Sequence, residues 1–388
     1  MPSNKKDKPR YSADPTHSYG FLTPRFWHGM GLGTWLSLLA TRQCRLSPRS
    51  MLTAASITPV SAFNSMMGVW SNFRYGRRIH RQVLAEPPLF VLGHWRSGTT
   101  LLHELLITDP EHTYPNTYEC MSPLHHLATQ RYATPLTSWL LPSKRPMDNI
   151  EAGWDKPQED EFALCNLGLP SPYLCWAFPR NGPVHSEYLD LRQVPKRSRR
   201  RWQALLKLFV KSIAVARNKR IVLKSPPHTA RVRWLLEVFP NAKFVHISRD
   251  PLKLFPSTLR LWKSLADVQG LQPNLPEYEW MEEEVLKNLV VMYQAYREDR
   301  ELIPEGNLCE LRYENLVADP KAEISRMYDE LSLGDYARIE PGVDSYIERT
   351  RDYQTNRFEL PADVKARVRD RWGIYFDMFE YGEVGSER

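Results

Sequence analysis

Apolar positions along the chain fall into two kinds of run. Short, mainly apolar segments recur at 89–92 (Leu-Phe-Val-Leu), 221–223, 243–247 and 307–311. Runs of that length between turn residues predict strands buried on both faces. Between them the period changes. Residues 196–218 place Trp202, Leu205, Leu206, Phe209 and Ile213 at helical spacing, which predicts a long amphipathic helix. A helix over 99–108 stops at Asp109-Pro110, another covers 229–239, and a third starts at Pro251 with Asp250 as its N-cap. Residues 277–302 read as helical, as do segments from Pro320 and after Pro361. Strand followed by helix, repeated, predicts an α/β fold: a central parallel sheet with helices on both faces. Ligands of such sheets bind beyond the C-terminal ends of the strands.

The flanking regions read differently. Residues 1–20 are polar and charged and are expected to form a disordered tail. Residues 21–86 read as an N-terminal helical extension, helical in pieces, ending in the basic run 74–81 and the breaker Pro87-Pro88. The remaining span, 87–388, is expected to be the main domain. Within it, residues 111–158 are rich in proline and predict loops that shape a substrate cleft. Pro157 opens a short acidic helix beginning Glu159-Asp160-Glu161.

Composition narrows the function classes. The 388 residues carry 52 basic and 45 acidic side chains, a net charge of +7. That balance suits an anionic ligand and is too weak to argue for nucleic acid. The five cysteines, Cys44, Cys120, Cys165, Cys175 and Cys309, are scattered and form no C-x-x-C pair. No disulfide framework and no zinc site are expected, and a reducing, cytoplasmic location follows. The polar, basic start of the chain has no apolar stretch of a cleavable signal. The run 30–40 is too short to span a bilayer, and 52–70 is uncharged but interrupted by Ser, Thr, Asn and Pro59. Either peripheral membrane contact or packing on the main domain would account for this apolar, Trp-bearing region.

The most informative stretch is 88–106. A buried strand leads into Gly93-His94-Trp95-Arg96-Ser97-Gly98 and then a helix starting near Thr99. Strand, glycine-bounded loop and helix N-terminus together make an anion site. The spacing Gly-x-x-x-x-Gly is that of a phosphate loop, but Thr99 stands where a nucleoside-triphosphatase has lysine. Arg96 is the loop's cation. Ser97, Thr99 and Thr100 supply hydroxyls, so a 5′-phosphate can be held without a metal. Arg96, Lys224 and Arg249 all lie just past expected strand ends. Arg249 is followed eight residues on by Ser257, a pair suited to a second phosphate.

These motifs resemble those of the sulfotransferases that use 3′-phosphoadenosine-5′-phosphosulfate (PAPS), in wording closest to a bacterial-type branch. That family's Lys- or Arg-Ser-Gly-Thr-Thr loop for the 5′-phosphosulfate is similar to Arg96-Ser97-Gly98-Thr99-Thr100. Its strand-end Arg with a Ser eight residues later, for the 3′-phosphate, is similar to Arg249 and Ser257. The resemblance runs from residue 89 to 313. It implies PAPS as co-substrate, adenosine 3′,5′-bisphosphate as product, no metal, and Arg96 as the group that stabilises the leaving phosphate. The late Arg-Lys-Gly stretch of cytosolic members is absent, and Arg351 is the regional substitute.

The resemblance leaves the base open. Glu119 follows the first helix two residues out of place for the catalytic Glu of tyrosylprotein sulfotransferases. Lys224 aligns with the Lys of a cytosolic Lys-Thr-His, but His228 falls two residues late. Glu159 or Glu161 is the third candidate. An acceptor that is a small molecule, carbohydrate or lipid fits the aromatic loops at 111–195. Two other classes stay in view: a phosphate-loop kinase or phosphotransferase, and a non-catalytic nucleotide-binding protein.

Overall fold

The computed structural model describes residues 23–41, 48–142, 151–272, 279–351 and 359–382. The expected disordered tail and Cys44 lie outside them. Five strands form one sheet: β1 (Leu89–Leu92), β2 (His112–Thr113), β3 (Arg220–Lys224), β4 (Lys243–Ser248) and β5 (Leu308–Arg312). Their order is β2-β3-β1-β4-β5, and every pairing is parallel. The composition of β1 follows from its central place. Phe90 and Leu92 enter one core with Leu223 and Phe244, while Leu89 and Val91 enter the other with Val222, Val245 and Ile247. A strand buried on both faces has no position for a polar side chain. The two-residue edge strand β2 is too short and too polar for the apolar pattern to reveal.

Ahead of the sheet lie a 3-10 turn, Phe26–Gly29, then α1 (Leu32–Thr41) and α2 (Pro48–Arg81). The expected helical pieces are here largely one helix: α2 runs 34 residues straight through Pro59. A proline inside a helix removes one ladder hydrogen bond; burial of Ala54, Ile57, Ser61 and Asn64 around it keeps the helix continuous. After β1 come α3 (Thr99–Leu106), then α4 (Thr117–Met121) and α5 (His126–Thr137), where loops were expected from the prolines. The acidic segment becomes α6 (Asp160–Asn166), with Glu159 at its N-cap, and the amphipathic segment becomes α7 (Lys196–Ala216). The expected helix after β3, 229–239, is divided: a 3-10 turn, Pro226–Ala230, comes first and α8 (Val232–Val238) follows.

The rest of the chain completes both faces: α9 (Pro251–Gln269), α10 (Glu279–Asp299), α11 (Tyr313–Ala318), α12 (Pro320–Glu330), α13 (Glu340–Thr350), α14 (Ala362–Arg371) and α15 (Gly373–Met378). Side chains of α7, α8, α9 and α10 pack on the Phe90 face, and those of α3, α12 and α13 on the Leu89 face. The Asp250 side chain accepts from the Leu252 N–H, the expected cap of α9. The chain leaves β1 toward β2 on one side and leaves β4 toward β5 on the other. The loops after these adjacent strands therefore diverge, and a crevice for a ligand opens between them.

Three histidines, His94, His103 and His246, are buried in this core, and burial holds each at about 3. In the unfolded chain each would titrate near 6.5. Between those limits the unfolded chain binds protons that the folded chain does not. Their contribution to stability is therefore complete above about pH 6.5 and falls as pH drops toward 3, by up to about 1.4 kcal/mol per histidine per pH unit. Urea unfolding midpoints should drop clearly between neutral pH and about pH 5. A flat profile would show that these rings are not held neutral by the fold.

Candidate active site

Strand β1 delivers its chain directly into the loop 93–98, and hydroxyls on two sides fix that loop. The Gly93 N–H donates to Thr229 Oγ1 at 2.8 Å, and Thr229 Oγ1 donates to the Gly93 carbonyl at 3.2 Å. On the other side, Thr258 Oγ1 of α9 donates to the Trp95 carbonyl at 3.1 Å. Between the tethers the backbone turns sharply. Gly93 and Gly98 have φ of +147° and +107°, and Arg96 has φ +70°, a left-handed conformation that is unusual for a residue with a Cβ. The glycine at 98 is a steric necessity: a Cβ there would stand 2.4 Å from the Tyr313 ring.

The loop has the features an anionic group needs. Ser97 Oγ is buried and has no hydrogen-bond partner among the described residues. Thr99 is buried, Thr100 is half-buried, and the N–H groups of the first turn of α3 have no intrahelical acceptors. These groups fit a 5′-phosphosulfate held by backbone and hydroxyls.

Arg96, Arg249 and Ser257, two separate clamps in the sequence, form one cluster across the crevice. Arg96 Nε donates to Ser257 Oγ at 3.1 Å, and Arg249 Nη1 donates to the Arg96 carbonyl at 2.9 Å. The Arg249 guanidinium also lies over the Tyr313 ring, 4.1 Å from its centre. Tyr375 fixes the backbone of Arg249, accepting from its N–H at 2.9 Å. Arg351 is elsewhere: it stands exposed at the end of α13 and pairs with Glu348 at 3.9 Å. Its neighbours at 353–356 lie outside the described residues.

On the β3 side, three successive acids meet three bases. Glu159 Oε1 pairs with Lys224 Nζ at 2.8 Å, Asp160 Oδ2 with His228 Nε2 at 2.7 Å, and Glu161 Oε2 with Arg231 Nη1 at 2.6 Å. Burial pushes the Asp160 carboxyl up, but the charge and hydrogen bond of His228 and the Ser225 hydroxyl outweigh it and hold the carboxyl below its ordinary range. The three acids differ in access. Asp160 and Glu161 are sealed, whereas the Glu159 side chain keeps 17% of its surface. Tyr173 OH donates to Glu159 Oε2 at 2.5 Å and accepts from Trp95 Nε1, in the loop itself, at 3.2 Å. Glu159 is thus linked to the anion loop through one phenol.

The two bases ranked first from the sequence are both enclosed. His228 has no exposed surface, lies between the Phe90 and Trp202 rings, and is committed to Asp160. Glu119 has none either; both its oxygens lie 2.8 Å from Arg217, and Oε2 accepts the Asn116 N–H that closes a capping box. A base must reach the acceptor's proton, and in this structure both groups are turned to protein partners instead. Trp95, Tyr173, Thr229, Thr258 and Tyr313 were not singled out by sequence patterns, because each acts through a partner distant in the chain. Among the described residues, no group of three or more His, Cys, Asp or Glu side chains could hold a metal ion. His125 and His126 diverge, toward Asn64 and Ser212 respectively.

A glycine loop between a central strand and a helix, faced by cations from adjacent strand ends, defines a group transferase of the parallel α/β type. Comparison with known proteins makes the class specific. The description "Sulfotransferase family" matches residues 87–336. Omega-hydroxy-beta-dihydromenaquinone-9 sulfotransferase Stf3 of Mycobacterium bovis is 41% identical over 355 residues, 92% of this chain and 91% of that protein. The protein of the same name from Mycobacterium tuberculosis matches equally. Among solved structures, sulfotransferase STF9 from Mycobacterium avium has a TM-score of 0.64 at 20% identity, and STF1 from Mycobacterium tuberculosis 0.58 at 16%. Each alignment covers 89% of this chain and 91% of that one, and shows a shared fold. The chain belongs to the sulfotransferase family. It is a transferase that moves a sulfuryl group to an acceptor, and membership implies PAPS as the donor.

Replacing Gly98 with alanine forces a Cβ onto Tyr313 and strains the backbone. Gly98→Ala should weaken adenosine 3′,5′-bisphosphate binding by at least about tenfold and lower the melting temperature. Gly373→Ala, with open space at its Cβ position, serves as control. Unchanged calorimetric affinity in Gly98→Ala would remove this loop from the donor site.

Proposed function

We propose that this chain sulfates the hydroxyl of a lipid acceptor, using PAPS, with Glu159 as the base. The observation that carries the donor half is the joining of Arg96, Arg249 and Ser257 into one cluster at the diverging loops. A nucleotide phosphorylated at both the 5′ and 3′ positions suits two cations so placed. Ser97, Gly98, Thr99 and Thr100 would hold the 5′ end and Arg249 with Ser257 the 3′-phosphate. The donor supplies an activated sulfuryl group. Arg96, always charged, offsets the negative charge that develops on the departing phosphate.

The acceptor half rests on Glu159. It is the one acid of the α6 start with exposed side-chain surface beyond a few per cent, and it is oriented by Lys224 and Tyr173. It takes the proton as the acceptor oxygen bonds to sulfur and the bond between sulfur and the phosphate oxygen breaks. Lys224 is then a positioning residue for Glu159. The lipid reading comes from the relative at 41% identity, whose name gives a hydroxylated menaquinone derivative as its substrate. A prenylquinone-like alcohol is the acceptor class we assign. The four described cysteines are buried, in keeping with a cytoplasmic enzyme that meets its lipid at a membrane surface.

Calorimetry with adenosine 3′,5′-bisphosphate and adenosine 5′-monophosphate tests the donor half. A marked preference for the bisphosphate, abolished in Arg249→Ala, is expected; equal affinities would sink the second clamp. For the base, Glu159→Gln should lower turnover by about 10²–10⁴-fold with bisphosphate affinity intact. Glu119→Gln should instead lower the melting temperature. Full turnover in Glu159→Gln would return the role to another group. Transfer that persists in EDTA is also expected, against the Mg²⁺ demand of a kinase.

A further inference from the structure

Helix α2 is built inside out. Its side toward the protein carries Ser50, Ala54, Ser61, Asn64, Ser71 and Gly76, with Ile57 as its one fully buried large apolar residue. Its outward side carries Leu52, Phe63, Met66, Val69, Trp70 and Phe73, all exposed, with Val69 at 75% and Phe73 at 89%. A helix on the surface of a globular protein shows the reverse pattern. The inversion is fixed by hydrogen bonds. Asn64 Nδ2 donates to the carbonyls of His28 and Met30 at 2.7 and 3.0 Å, its Oδ1 lies 3.0 Å from His125 Nε2, and the Ser65 hydroxyl accepts from the Leu32 N–H. Turning the apolar side inward would break all four contacts. The neighbouring α5 and the turn after it add exposed Leu136 and Trp139.

Charge says what covers this side. No Asp or Glu occurs in α2, and nothing charged lies between Arg49 and Arg74. Then Arg74, Arg77, Arg78 and Arg81 follow within the last turns, all exposed and lining one open cleft with Asn218. An apolar strip about 33 Å long, ending in four arginines with no acid on the helix, complements an anionic bilayer: acyl chains for the strip and lipid phosphates for the arginines. A second copy of the chain would offer the arginines no acids from its own α2. No described helix is long and apolar enough to cross a membrane, so the helix would lie in the interface plane.

We propose that α2 docks the enzyme on anionic membranes through this inverted side. The proposal deepens the lipid-acceptor reading, and a chain of contacts connects the two. Asn64 grips the 3-10 turn at 26–29, and Phe26 of that turn stacks at 3.7 Å on Phe162, three residues beyond Glu159. The docking helix thus bears on the element that presents the base.

The test uses full-length protein without donor or acceptor, sedimented with vesicles of phosphatidylcholine alone or mixed with phosphatidylglycerol. Binding more than about tenfold tighter to the anionic vesicles, and weakened by salt, is expected. The pair Trp70→Ser and Phe73→Ser should abolish binding to both. The set Arg74→Gln, Arg77→Gln and Arg81→Gln should remove the preference for phosphatidylglycerol. All variants should bind adenosine 3′,5′-bisphosphate as the parent does, which shows that they fold. Parent-like vesicle binding by the Trp70/Phe73 variant overturns the proposal. So does a dimer in light scattering that this variant dissolves while the parent ignores vesicles, since the side would then be a contact between copies. Failure of the lipid-acceptor reading is distinct: it would show as vesicle binding with no transfer to a prenylquinone-like alcohol in detergent.

Discussion

The site depends on a ladder of three charge pairs between one helical turn and one strand end. Glu159, Asp160 and Glu161 are consecutive, and their partners Lys224, His228 and Arg231 leave β3 in the same order. Taking such groups out of water costs several kcal/mol per ion unless partner and hydrogen bonds compensate. Here they do: Ser225 serves Asp160, Ser171 serves Glu161, and Arg231 also donates to the carbonyls of Tyr188 and Leu189. A pair this buried adds little net stability over an apolar replacement, but losing one member is expensive. The ladder therefore works as a register device. It fixes where α6 starts relative to β3 and so where Glu159, its outermost rung, stands.

The other half of the site is organised by hydroxyls and sterics. The anion loop needs a short strand before it, a helix after it and glycine where Tyr313 comes close. Thr229 and Thr258, from the segments following β3 and β4, tie its two halves to the walls of the crevice. Trp95 then links the loop to Glu159 through Tyr173. The glycine loop and Glu159 are connected by two hydrogen bonds, although 64 residues separate Trp95 from Glu159 in the chain.

What was legible in the sequence was local. The strand 89–92, the glycine spacing, the Asp250 cap and the eight-residue step from Arg249 to Ser257 are written within short windows, and the fold class follows from their repetition. What was hidden is long-range. The dipole of a helix N-terminus is a sufficient local account of Glu159–Glu161, and it concealed partners 65 to 70 residues away. Glu119 shows the reverse. Its spacing from the first helix suggested a base, while Asn116-x-x-Glu119, a capping box readable in four letters, gave its structural use. His228 could not be judged without knowing that Phe90 and Trp202 would close over it. The aromatic side of α2 was visible as an apolar region, but only the burial pattern distinguishes a packed helix from an inverted one.

The contact between Arg249 and the Arg96 carbonyl has a further consequence. Arg96 reaches Ser257, and Arg249 reaches back to the backbone of Arg96, so each clamp contains part of the other. Energies of groups in such a closed ring are not additive. A substitution in either clamp would therefore be felt at the other, and the loss of nucleotide affinity on changing Arg96, Arg249 and Ser257 together would differ from the sum of the single losses. Because the ring is closed before any ligand arrives, a doubly phosphorylated nucleotide would meet two grips that already position each other.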